Sequence, residues 1–359
     1  MKILLFGNSS KESGGPAQVM KILNKILENK YNDEVEILDT NTQITNKNLK
    51  IKISKFDLIH IHELWSIQTI KLTHFAEKLG IPYLFTFHGV LNNWSLKKNK
   101  FLKKVFLQIF KKKILLKSSA FHFLNKLELL EANEIYQKFN KKSFILQNGI
   151  ELNKNVKLKE ILNTSNHKKE NLNLLFLGRI HSKKGLIPLI NTIKLAKEEK
   201  FKVNLNIVGP KSAHCDYLKT MVEKYELDNQ VKFLPAIYEM SEKKILFNQN
   251  DYFILPSYDE ADSVAVKEAL ANNLPIIVSK ECKIQDVEKK EIGYLISHNP
   301  KDILKKLIMI KNNSNLYTSL QQNSSEYANK NFDILKITEA YRNNLIDIVS
   351  GVKYSDNWI

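Results

Sequence analysis

The sequence predicts an α/β protein in which two doubly wound, Rossmann-like parallel sheets are each covered by helices on both faces. Its 359 residues are roughly enough for two domains of ordinary size. Short β-branched and aromatic segments alternate with longer helical patterns along almost the whole chain, an order typical of parallel sheets. The strand segments are almost continuously apolar, as strands buried on both faces are.

Twelve segments have the composition of buried strands, six in each half of the chain. They are Lys2–Gly7, Val35–Thr40, Asp57–His62, Tyr83–His88, Ala120–Asn125, Ser143–Gln147, Leu172–Arg179, Val203–Gly209, Val231–Leu234, Tyr252–Pro256, Pro275–Ser279 and Gly293–Ile296. Apolar residues recur at helical spacing between most of them. The predicted helices include Ala17–Asn29, Ile67–Leu79, Lys126–Phe139, Leu186–Glu199, Tyr217–Tyr225, Ser241–Asn248, Ser263–Ala271 and Ile334–Val349.

A polar stretch rich in lysine and asparagine, Glu151–Asn171, lacks apolar periodicity and is predicted to link the two domains. We expect an N-terminal domain over residues 1–165 and a C-terminal domain over residues 166–330. A C-terminal helix within residues 331–359 is expected to cross back to the first domain. Because ligands of open α/β sheets bind beyond the carboxyl ends of the strands, the cleft between the domains is the expected site.

The composition excludes several classes of protein. Hydrophobic residues make up 43% of the chain and charged residues 26%, which argues against a fibrous or wholly disordered protein. No apolar run approaches the ~20 residues of a membrane span, and the N-terminal apolar run is too short for a secretory signal. With Cys215 and Cys282 as the only cysteines, neither a disulfide framework nor a thiolate zinc site is expected. We therefore expect an intracellular protein.

The net charge of +17 indicates an anionic partner. Only two of the 55 basic residues are arginines, Arg179 and Arg342. Nucleic acid is not expected as the partner, because the chain has no helix-turn-helix or RNA-binding signature and no interleaved aromatic platform. An anionic membrane surface and a phosphorylated substrate remain.

The loop after the first strand contains Gly14 and Gly15, followed by Pro16 at the start of a predicted helix. Paired glycines let a backbone approach a ligand closely, and a helix N-terminus attracts phosphate. The pattern matches neither the dinucleotide fingerprint nor the Walker loop, which argues against a dehydrogenase or an ATPase. An ordinary strand–helix turn is the alternative explanation of the glycines.

The strand that opens the second half runs into a basic loop, Gly178 to Gly185, which contains Arg179 and Lys184. The planar guanidinium group of Arg179 can bind two phosphate oxygens at once, which lysine cannot do. Its presence in a lysine-rich chain therefore suggests a phosphate clamp, with a solvated basic loop as the alternative.

Two glutamates, Glu260 and Glu268, lie eight residues apart around the start of a predicted helix. Glu260 follows a buried strand, and Glu268 lies within the helix that begins near Asp262, Ser263 and Val264. Carboxylates accept hydrogen bonds from sugar hydroxyls, and N-terminal helix amides favour an anion. Plain helix capping would explain the same acidic cluster.

Taken together, these motifs resemble the GT-B glycosyltransferases of the large retaining family 4, in particular those that build bacterial lipopolysaccharide, O-antigen and capsule. The second half carries G-R-x(4)-K-G from Gly178 to Gly185 and E-x(7)-E from Glu260 to Glu268. The first half carries Gly14-Gly15, His60-Ile61-His62-Glu63-Leu64-Trp65, His88-Gly89 and Asn148-Gly149-Ile150. The resemblance covers essentially the whole chain.

The resemblance implies a role for each basic or glycine-rich motif. Arg179 and Lys184 would neutralise the diphosphate of a nucleotide-sugar donor, and Gly178 would belong to the same binding loop. Gly14 and Gly15 would close against the diphosphate. A metal ion would not be required, and the chain contains no D-x-D motif.

The resemblance also implies roles for the acidic residues and one histidine. Glu268 would hold the ribose hydroxyls, Glu260 would hold the donor sugar, and His88 would lie by the anomeric carbon. The backbone groups expected to hold the sugar with Glu260 are those of Asp262, Ser263 and Val264. The family usually has Gly-Phe-Gly after the first glutamate, whereas this chain has Ala261-Asp262-Ser263, so the donor sugar does not carry over.

Residues 97–117 form a basic segment with nine lysines and no acidic residue. Its apolar residues recur at helical spacing, so it could lie on an anionic membrane, where each lysine contributes about 1 kcal/mol. The apolar stripe could also pack on the sheet. The residues predicted to contact the membrane are Lys97, Lys98, Lys103, Lys104, Lys111, Lys112 and Lys113.

His60 and His62 alternate on a predicted strand and should point the same way, beside Glu63. A metal site would need a third ligand that the sequence does not indicate, so packed or hydrogen-bonded histidines near the cleft are expected instead. Trp65 and Trp94 could line an acceptor groove or pack in the core.

The expected function is that of a metal-independent, retaining hexosyltransferase without a cofactor. It would move a sugar from a nucleotide donor, most commonly a UDP-sugar in the family, to a lipid-linked or growing surface glycan at the cytoplasmic face of the membrane. A nucleotide-sugar epimerase or phosphorylase on the same scaffold is the first alternative, and it would not need a lipid acceptor. A non-catalytic, membrane-bound scaffold is the second, and it would not bind a nucleoside diphosphate.

Overall fold

The computed structural model describes residues 1–10, 14–91, 115–135, 143–152 and 170–351. The chain forms two compact units, one made of Met1–Gly149 with Ile334–Ile359 and the other of Ile150–Asp333. The predicted domain boundary at residue 165 lies outside the described residues.

The N-terminal unit contains a parallel sheet of six strands. Its strands are β1 (Lys2–Gly7), β2 (Glu34–Asp39), β3 (Leu58–Ile61), β4 (Tyr83–Thr86), β5 (Ala120–Phe123) and β6 (Ser143–Ile145). Its helices are α1 (Gly15–Tyr31), α2 (Asn46–Ile53), α3 (Ile67–Leu79), α4 (Lys126–Ile135) and α11 (Ile334–Ser350). The strand order is β2-β1-β3-β4-β5-β6, so the winding direction reverses between β1 and β3.

The C-terminal unit contains a second parallel sheet of six strands. Its strands are β7 (Leu172–Leu177), β8 (Val203–Val208), β9 (Val231–Leu234), β10 (Tyr252–Leu255), β11 (Ile276–Ser279) and β12 (Gly293–Ile296). Its helices are α5 (Leu186–Glu198), α6 (Ala213–Lys224), α7 (Met240–Gln249), α8 (Val264–Ala271), α9 (Pro300–Asn312) and α10 (Tyr317–Asn331). The strand order is β12-β11-β10-β7-β8-β9, with the reversal between β7 and β10.

The predicted fold class is confirmed, and each of the twelve predicted strands corresponds to a strand of one of the two sheets. Strands β3, β4, β10 and β11 are buried along their whole length, which explains their continuous apolar patterns. Helix α6 begins four residues earlier than predicted, at Ala213 instead of Tyr217, because the Ser212 side chain accepts a hydrogen bond from the Cys215 amide and caps the helix.

The C-terminal helix α11 packs on the N-terminal unit. The Tyr341 hydroxyl is hydrogen-bonded to a ring nitrogen of His60 in β3, and both side chains are buried. The Arg342 guanidinium donates to both carboxylate oxygens of Asp33, at 2.7 and 3.1 Å. A helix that follows the C-terminal unit in sequence therefore completes the core of the N-terminal unit.

Most of the basic segment, residues 97–114, lies outside the described residues, as do Trp94 and the seven lysines predicted to contact a membrane. Trp65 is described and packs against the core of the N-terminal unit. Among the described helices, none combines the length and the apolar character that crossing a membrane requires.

Candidate functional site

The carboxyl ends of β7 and β10 lie side by side where the winding of the second sheet reverses. Ligands of open α/β sheets bind at such a reversal, outside the carboxyl ends of the strands. The loop from Gly178 to Gly185 follows β7, and the loop from Pro256 to Glu260 follows β10. Two of the three motifs found in the sequence therefore lie at one edge of this sheet.

These two loops are joined directly by hydrogen bonds. The Ser257 hydroxyl and the Tyr258 amide both donate to the Lys183 carbonyl oxygen, at 3.0 and 2.8 Å. Gly185 has a φ angle of +69°, and a Cβ atom there would lie 1.8 Å from the Pro256 carbonyl oxygen. Only glycine fits this position, because a side chain would be strained in the backbone and would overlap the neighbouring loop.

The basic loop and the loop from Pro256 to Glu260 also form two ion pairs with each other, and a third lysine joins them from outside. Lys183 lies 2.6 Å from Asp259, and Lys184 lies 2.6 Å from Glu260. Lys283, from the segment after β11, lies 3.5 Å from the second oxygen of Asp259. The structure thus brings Lys184 and Glu260 together, and each neutralises the other.

Glu268 forms a buried ion pair with a residue that sequence reasoning missed. The Lys243 ammonium group, on α7, donates to both carboxylate oxygens of Glu268, at 2.8 and 2.9 Å. The two side chains are only 6% and 3% exposed, respectively. A signal was present in the sequence, because Lys243 shares the core-facing side of α7 with Leu246 and Phe247.

Asp262 is likewise paired, with Lys267 one helical turn into α8. The Lys267 ammonium group lies 2.6 Å from the carboxylate and 4.8 Å from the centre of the Phe332 ring. Burial lowers the pKa of Lys267, and the charge of Asp262 opposes that shift. The side chain of Asp262 is therefore committed to its own helix.

Arg179 differs from the five lysines of this edge. Its side chain is exposed, and it makes no hydrogen bond or ion pair with any residue that the structure describes. Lys183, Lys184, Lys243, Lys267 and Lys283 each face a carboxylate. The guanidinium group is thus a cation whose charge is not neutralised within the described part of the chain.

A third loop, after β8, joins the same edge and was not singled out from the sequence. A Cβ atom on Gly209 would lie 2.1 Å from the Gly178 carbonyl oxygen, so the two glycines are in backbone contact. The Ser212 hydroxyl donates to the Ile180 carbonyl oxygen at 2.8 Å. These contacts fix the backbone on either side of Arg179.

Helix α8 points its N-terminus toward the loop that carries Glu260. The Ser263 side chain, at the N-cap position, makes no capping hydrogen bond with a described residue, and the helix begins at Val264. The first amides of a helix lack intrahelical partners and carry partial positive charge. Together, this helix end and the Glu260 carboxylate can bind a ligand that has both hydroxyl groups and negative charge, with the carboxylate accepting from the hydroxyls and the helix amides facing the charge.

In the N-terminal unit, Gly14 and Gly15 lie at the start of α1, in the connection that follows β1. Gly14 is the N-cap residue, with a φ angle of +74°, and Pro16 occupies the first turn. The same connection is anchored by Ser9, whose amide and hydroxyl both donate to Asp39 at 2.6 Å. Burial opposes ionisation of Asp39, but these bonds hold its pKa below the usual value.

His88 was predicted to be the last residue of the strand Tyr83–His88, but β4 ends at Thr86, so His88 lies two residues beyond it in the following loop. Its φ angle is +49°, a left-handed conformation that ends the strand early. The amide of the next residue, Gly89, donates to a buried glutamate, Glu128, at 2.6 Å. Sequence reasoning missed this glutamate, because backbone amides that bind a carboxylate form no recognisable sequence motif.

The His88 ring is hydrogen-bonded to His62, with 2.8 Å between Nε2 of His88 and Nδ1 of His62. Burial lowers the pKa of His88 to about 3, with the nearby His122 adding to the shift. His88 is therefore a neutral hydrogen-bonding group at physiological pH. Within the described residues, no group of three or more His, Cys, Asp or Glu side chains is arranged to hold a metal ion.

Comparison with known proteins finds a family whose model matches the C-terminal part of the chain. Residues 159–329 match the model of the family described as glycosyl transferases group 1. An uncharacterized 41.2 kDa protein of the cps region of Klebsiella pneumoniae is 27% identical over 256 residues, 66% of this chain and 64% of the relative. This chain thus spans slightly less than two thirds of that protein.

A relative of known activity covers more of the chain. It is the UDP-Gal:alpha-D-GlcNAc-diphosphoundecaprenol alpha-1,3-galactosyltransferase of Escherichia coli, 25% identical over 314 residues, 83% of this chain and 77% of the enzyme. Among solved structures, Anabaena HepE in complex with UDP-glucose superimposes with a TM-score of 0.75 at 16% identity. That match covers 97% of this chain and 100% of HepE.

Proposed function

We propose that the chain is a hexosyltransferase-type glycosyltransferase that moves a sugar from a UDP-sugar to a glycan acceptor in bacterial surface-polysaccharide synthesis. The two-sheet fold, the family model that matches residues 159–329 and the relatives named above support this proposal. The proposed reaction retains the anomeric configuration and uses no metal ion. The observation that carries the proposal is the exposed Arg179, which no described residue neutralises. It lies in the loop that contacts the Glu260 loop where the winding of the second sheet reverses.

In this proposal, Arg179 binds the diphosphate of the donor. A guanidinium group can donate two parallel hydrogen bonds to phosphate oxygens, and its backbone is already fixed by Gly209 and Ser212. Lys184 differs from Arg179 because its ammonium group already donates a hydrogen bond to Glu260, at 2.6 Å. We propose that Lys184 bridges the Glu260 carboxylate and a phosphate oxygen when the donor is bound.

The donor sugar and the ribose are assigned to the two glutamates. Glu260, together with the backbone at Asp262, Ser263 and Val264, binds sugar hydroxyls near the start of α8. Glu268 binds the ribose hydroxyls while Lys243 continues to neutralise its charge. A carboxylate that is already paired with a lysine can accept a hydrogen bond from a hydroxyl group without bringing an uncompensated charge to the site.

The chemical step requires stabilisation of the leaving nucleoside diphosphate. Negative charge develops on the leaving oxygen as the glycosidic bond breaks, and a fixed cation there lowers the barrier. Loss of one such preorganised group typically costs about 2.7–4 kcal/mol. We propose front-side displacement, in which the leaving phosphate deprotonates the acceptor hydroxyl and the configuration is retained. The neutral His88 contributes a hydrogen bond to the donor, not a charge.

The proposed acceptor is a lipid-linked or growing surface glycan, reached at the cytoplasmic face of the membrane. The E. coli relative acts on a diphosphoundecaprenol-linked sugar, and the basic segment over residues 97–117 would suit an anionic lipid surface. Replacing the seven predicted contact lysines by glutamine should abolish sedimentation with anionic vesicles. Unchanged sedimentation would contradict the membrane part of the proposal.

The test of the donor is a thermal-shift screen of UDP-, GDP- and ADP-sugars in EDTA, because a ligand that binds only the native state raises the melting temperature. We expect UDP-sugars to give the largest shift. Donor turnover should then require a glycan acceptor, and NMR of the product should show the anomeric configuration of the donor. Turnover without a second substrate would indicate an epimerase instead, and no nucleotide binding would indicate a scaffold.

A further inference from the structure

We propose that His62 is a positioning residue that holds His88 in the tautomer with its proton on Nδ1, so that His88 offers an N–H donor to the substrate. This inference deepens the role proposed for His88 and, in its functional part, depends on it. It follows from the direction of the hydrogen bonds among four buried or largely buried histidines of the N-terminal unit.

The direction of these bonds can be assigned starting from a backbone carbonyl. The Leu146 carbonyl oxygen can only accept, so His122 donates to it from Nε2, at 2.6 Å. Burial lowers the pKa of His122 to about 4, so its ring is neutral and its Nδ1 atom must accept. The donor to that atom is the Thr86 hydroxyl, at 2.8 Å.

The same reasoning fixes the next ring. Since the Thr86 hydroxyl proton is used on His122, the Thr86 oxygen accepts from Nε2 of His60, at 2.6 Å. Burial also keeps the His60 ring neutral by lowering its pKa well below the usual value. Nδ1 of His60 therefore accepts from the Tyr341 hydroxyl. Strands β3, β4 and β5 and helix α11 are thus joined by one directional chain of bonds.

His62 packs against this fixed ring. The His60 and His62 ring centres are 4.0 Å apart, and the His62 amide donates to the Phe6 carbonyl oxygen at 2.8 Å. A Cβ atom on Gly7 would lie 3.0 Å from Cβ of His62, so the absence of a side chain there leaves room for the histidine. The position of the His62 ring is therefore set from several sides.

The direction of the His62–His88 bond follows from the other nitrogen of His62. Nε2 of His62 is buried and has no hydrogen-bond partner among the described residues. If His88 donated, this atom would carry a buried, unpaired N–H group; if His62 donates, it is an unpaired acceptor. Among backbone groups, buried N–H donors are left unpaired more rarely than buried acceptors, and we apply the same order to the imidazole nitrogens. We therefore assign the donor role to Nδ1 of His62.

This assignment leaves the proton of His88 on Nδ1. Its Nε2 atom accepts from His62, and a neutral ring then carries its proton on the other nitrogen. The backbone is held as well, since the buried Glu128 accepts from the amides of Gly89 and Leu124, at 2.6 and 2.7 Å. The ring presents a single donor in one orientation, as a group that recognises a phosphate or hydroxyl oxygen would need to.

The test is ¹⁵N NMR of the full-length chain with labelled histidines, in which the His88 signals are assigned by their loss in His88→Gln. We expect the Nδ1–H tautomer for His88 in the wild type. An Nε2–H signal for His88 in the wild type would overturn the proposal without any variant. His62→Asn keeps an N–H group near the position of Nδ1 and should preserve the tautomer, whereas His62→Leu should allow Nε2–H.

Kinetics supply the second readout. We expect His62→Leu to lower the kcat of sugar transfer by about 10–100-fold with a small change in KM, because the N–H group of His88 is no longer held in one orientation. His62→Asn should have a kcat close to that of the wild type. The control variant is His74→Leu, at an exposed histidine, and its kcat should not change. Equal kcat values for His62→Leu and His62→Asn would overturn the positioning role. If no transfer occurs but the tautomer is as expected, the proposed function fails and the assignment of the bond direction stands.

Discussion

Replacement of Lys243 by methionine should destabilise the C-terminal unit strongly. The change leaves the Glu268 carboxylate, which is only 3% exposed, without its partner in the interior. Breaking a buried ion pair by removing one member typically costs about 3–5 kcal/mol. A domain of this size shifts by about 2–4 °C per kcal/mol, so we expect a fall of about 6–20 °C in the melting temperature.

The double variant Lys243→Met/Glu268→Gln provides the decisive comparison. It removes both charges and leaves an amide that is cheaper to bury, so most of the lost stability should return. Scanning calorimetry of the full-length protein measures all members of the cycle, and the neighbouring Lys244→Met is the matched control on the same helix. A fall of less than about 2 °C for Lys243→Met, or a double variant as unstable as the single one, would refute the reasoning.

Three further predictions use other parts of the molecule. Gly185→Ala should destabilise the C-terminal unit much more than Gly80→Ala destabilises the N-terminal unit. Both glycines have a φ angle of +69°, but only a Cβ atom at Gly185 would meet a carbonyl oxygen, at 1.8 Å. An equal fall in melting temperature for the two variants would contradict the loop contact. Glu260→Gln should bind UDP at least as tightly as the wild type, since Lys184 is released for phosphate, while a UDP-sugar loses its advantage over UDP; calorimetry that shows weaker UDP binding would argue against this arrangement. Acid should destabilise the N-terminal unit, because the unfolded chain protonates histidines below about pH 6.5 that burial keeps neutral in the fold. Urea titrations should show stability falling from pH 6.5 to about 4, by up to about 1.4 kcal/mol per pH unit for each such histidine, and flat stability would contradict it. The histidines concerned are His60, His62, His88 and His122.

The fold class could be predicted from the sequence because strands that are buried on both faces consist almost entirely of apolar residues, and most strands of this chain are such short apolar runs. Helices with little apolar surface were harder: α2 buries only Leu49 and Ile53 of its eight residues and was not predicted. Helix α9 was also missed, although Asn299 and Pro300 are a recognisable start signal.

The site could be predicted only as far as local motifs carry it. Arg179, Glu260 and Glu268 lie in compact sequence patterns, and the parallel sheet brings their loops to one edge. The helical spacing of Lys243 indicates that it faces the core, but Lys243 lies 25 residues from Glu268, so the sequence does not show which carboxylate it pairs with. Glu128 likewise lies 39 residues from Gly89. Ion pairing among Lys184, Glu260 and their neighbours also depends on side-chain placement, which spacing alone does not determine.

The most direct test of the central claim is calorimetric binding of UDP in EDTA to Arg179→Lys and Arg342→Lys. Both variants keep their charge, but Arg342 is bonded to Asp33 and belongs to the packing of α11. We expect Arg179→Lys to bind UDP at least about tenfold more weakly, a loss of 1.4 kcal/mol or more, because the paired hydrogen bonds to phosphate are lost. Arg342→Lys should bind like the wild type. Equal affinities in the two variants would contradict the assignment of Arg179 as the diphosphate ligand.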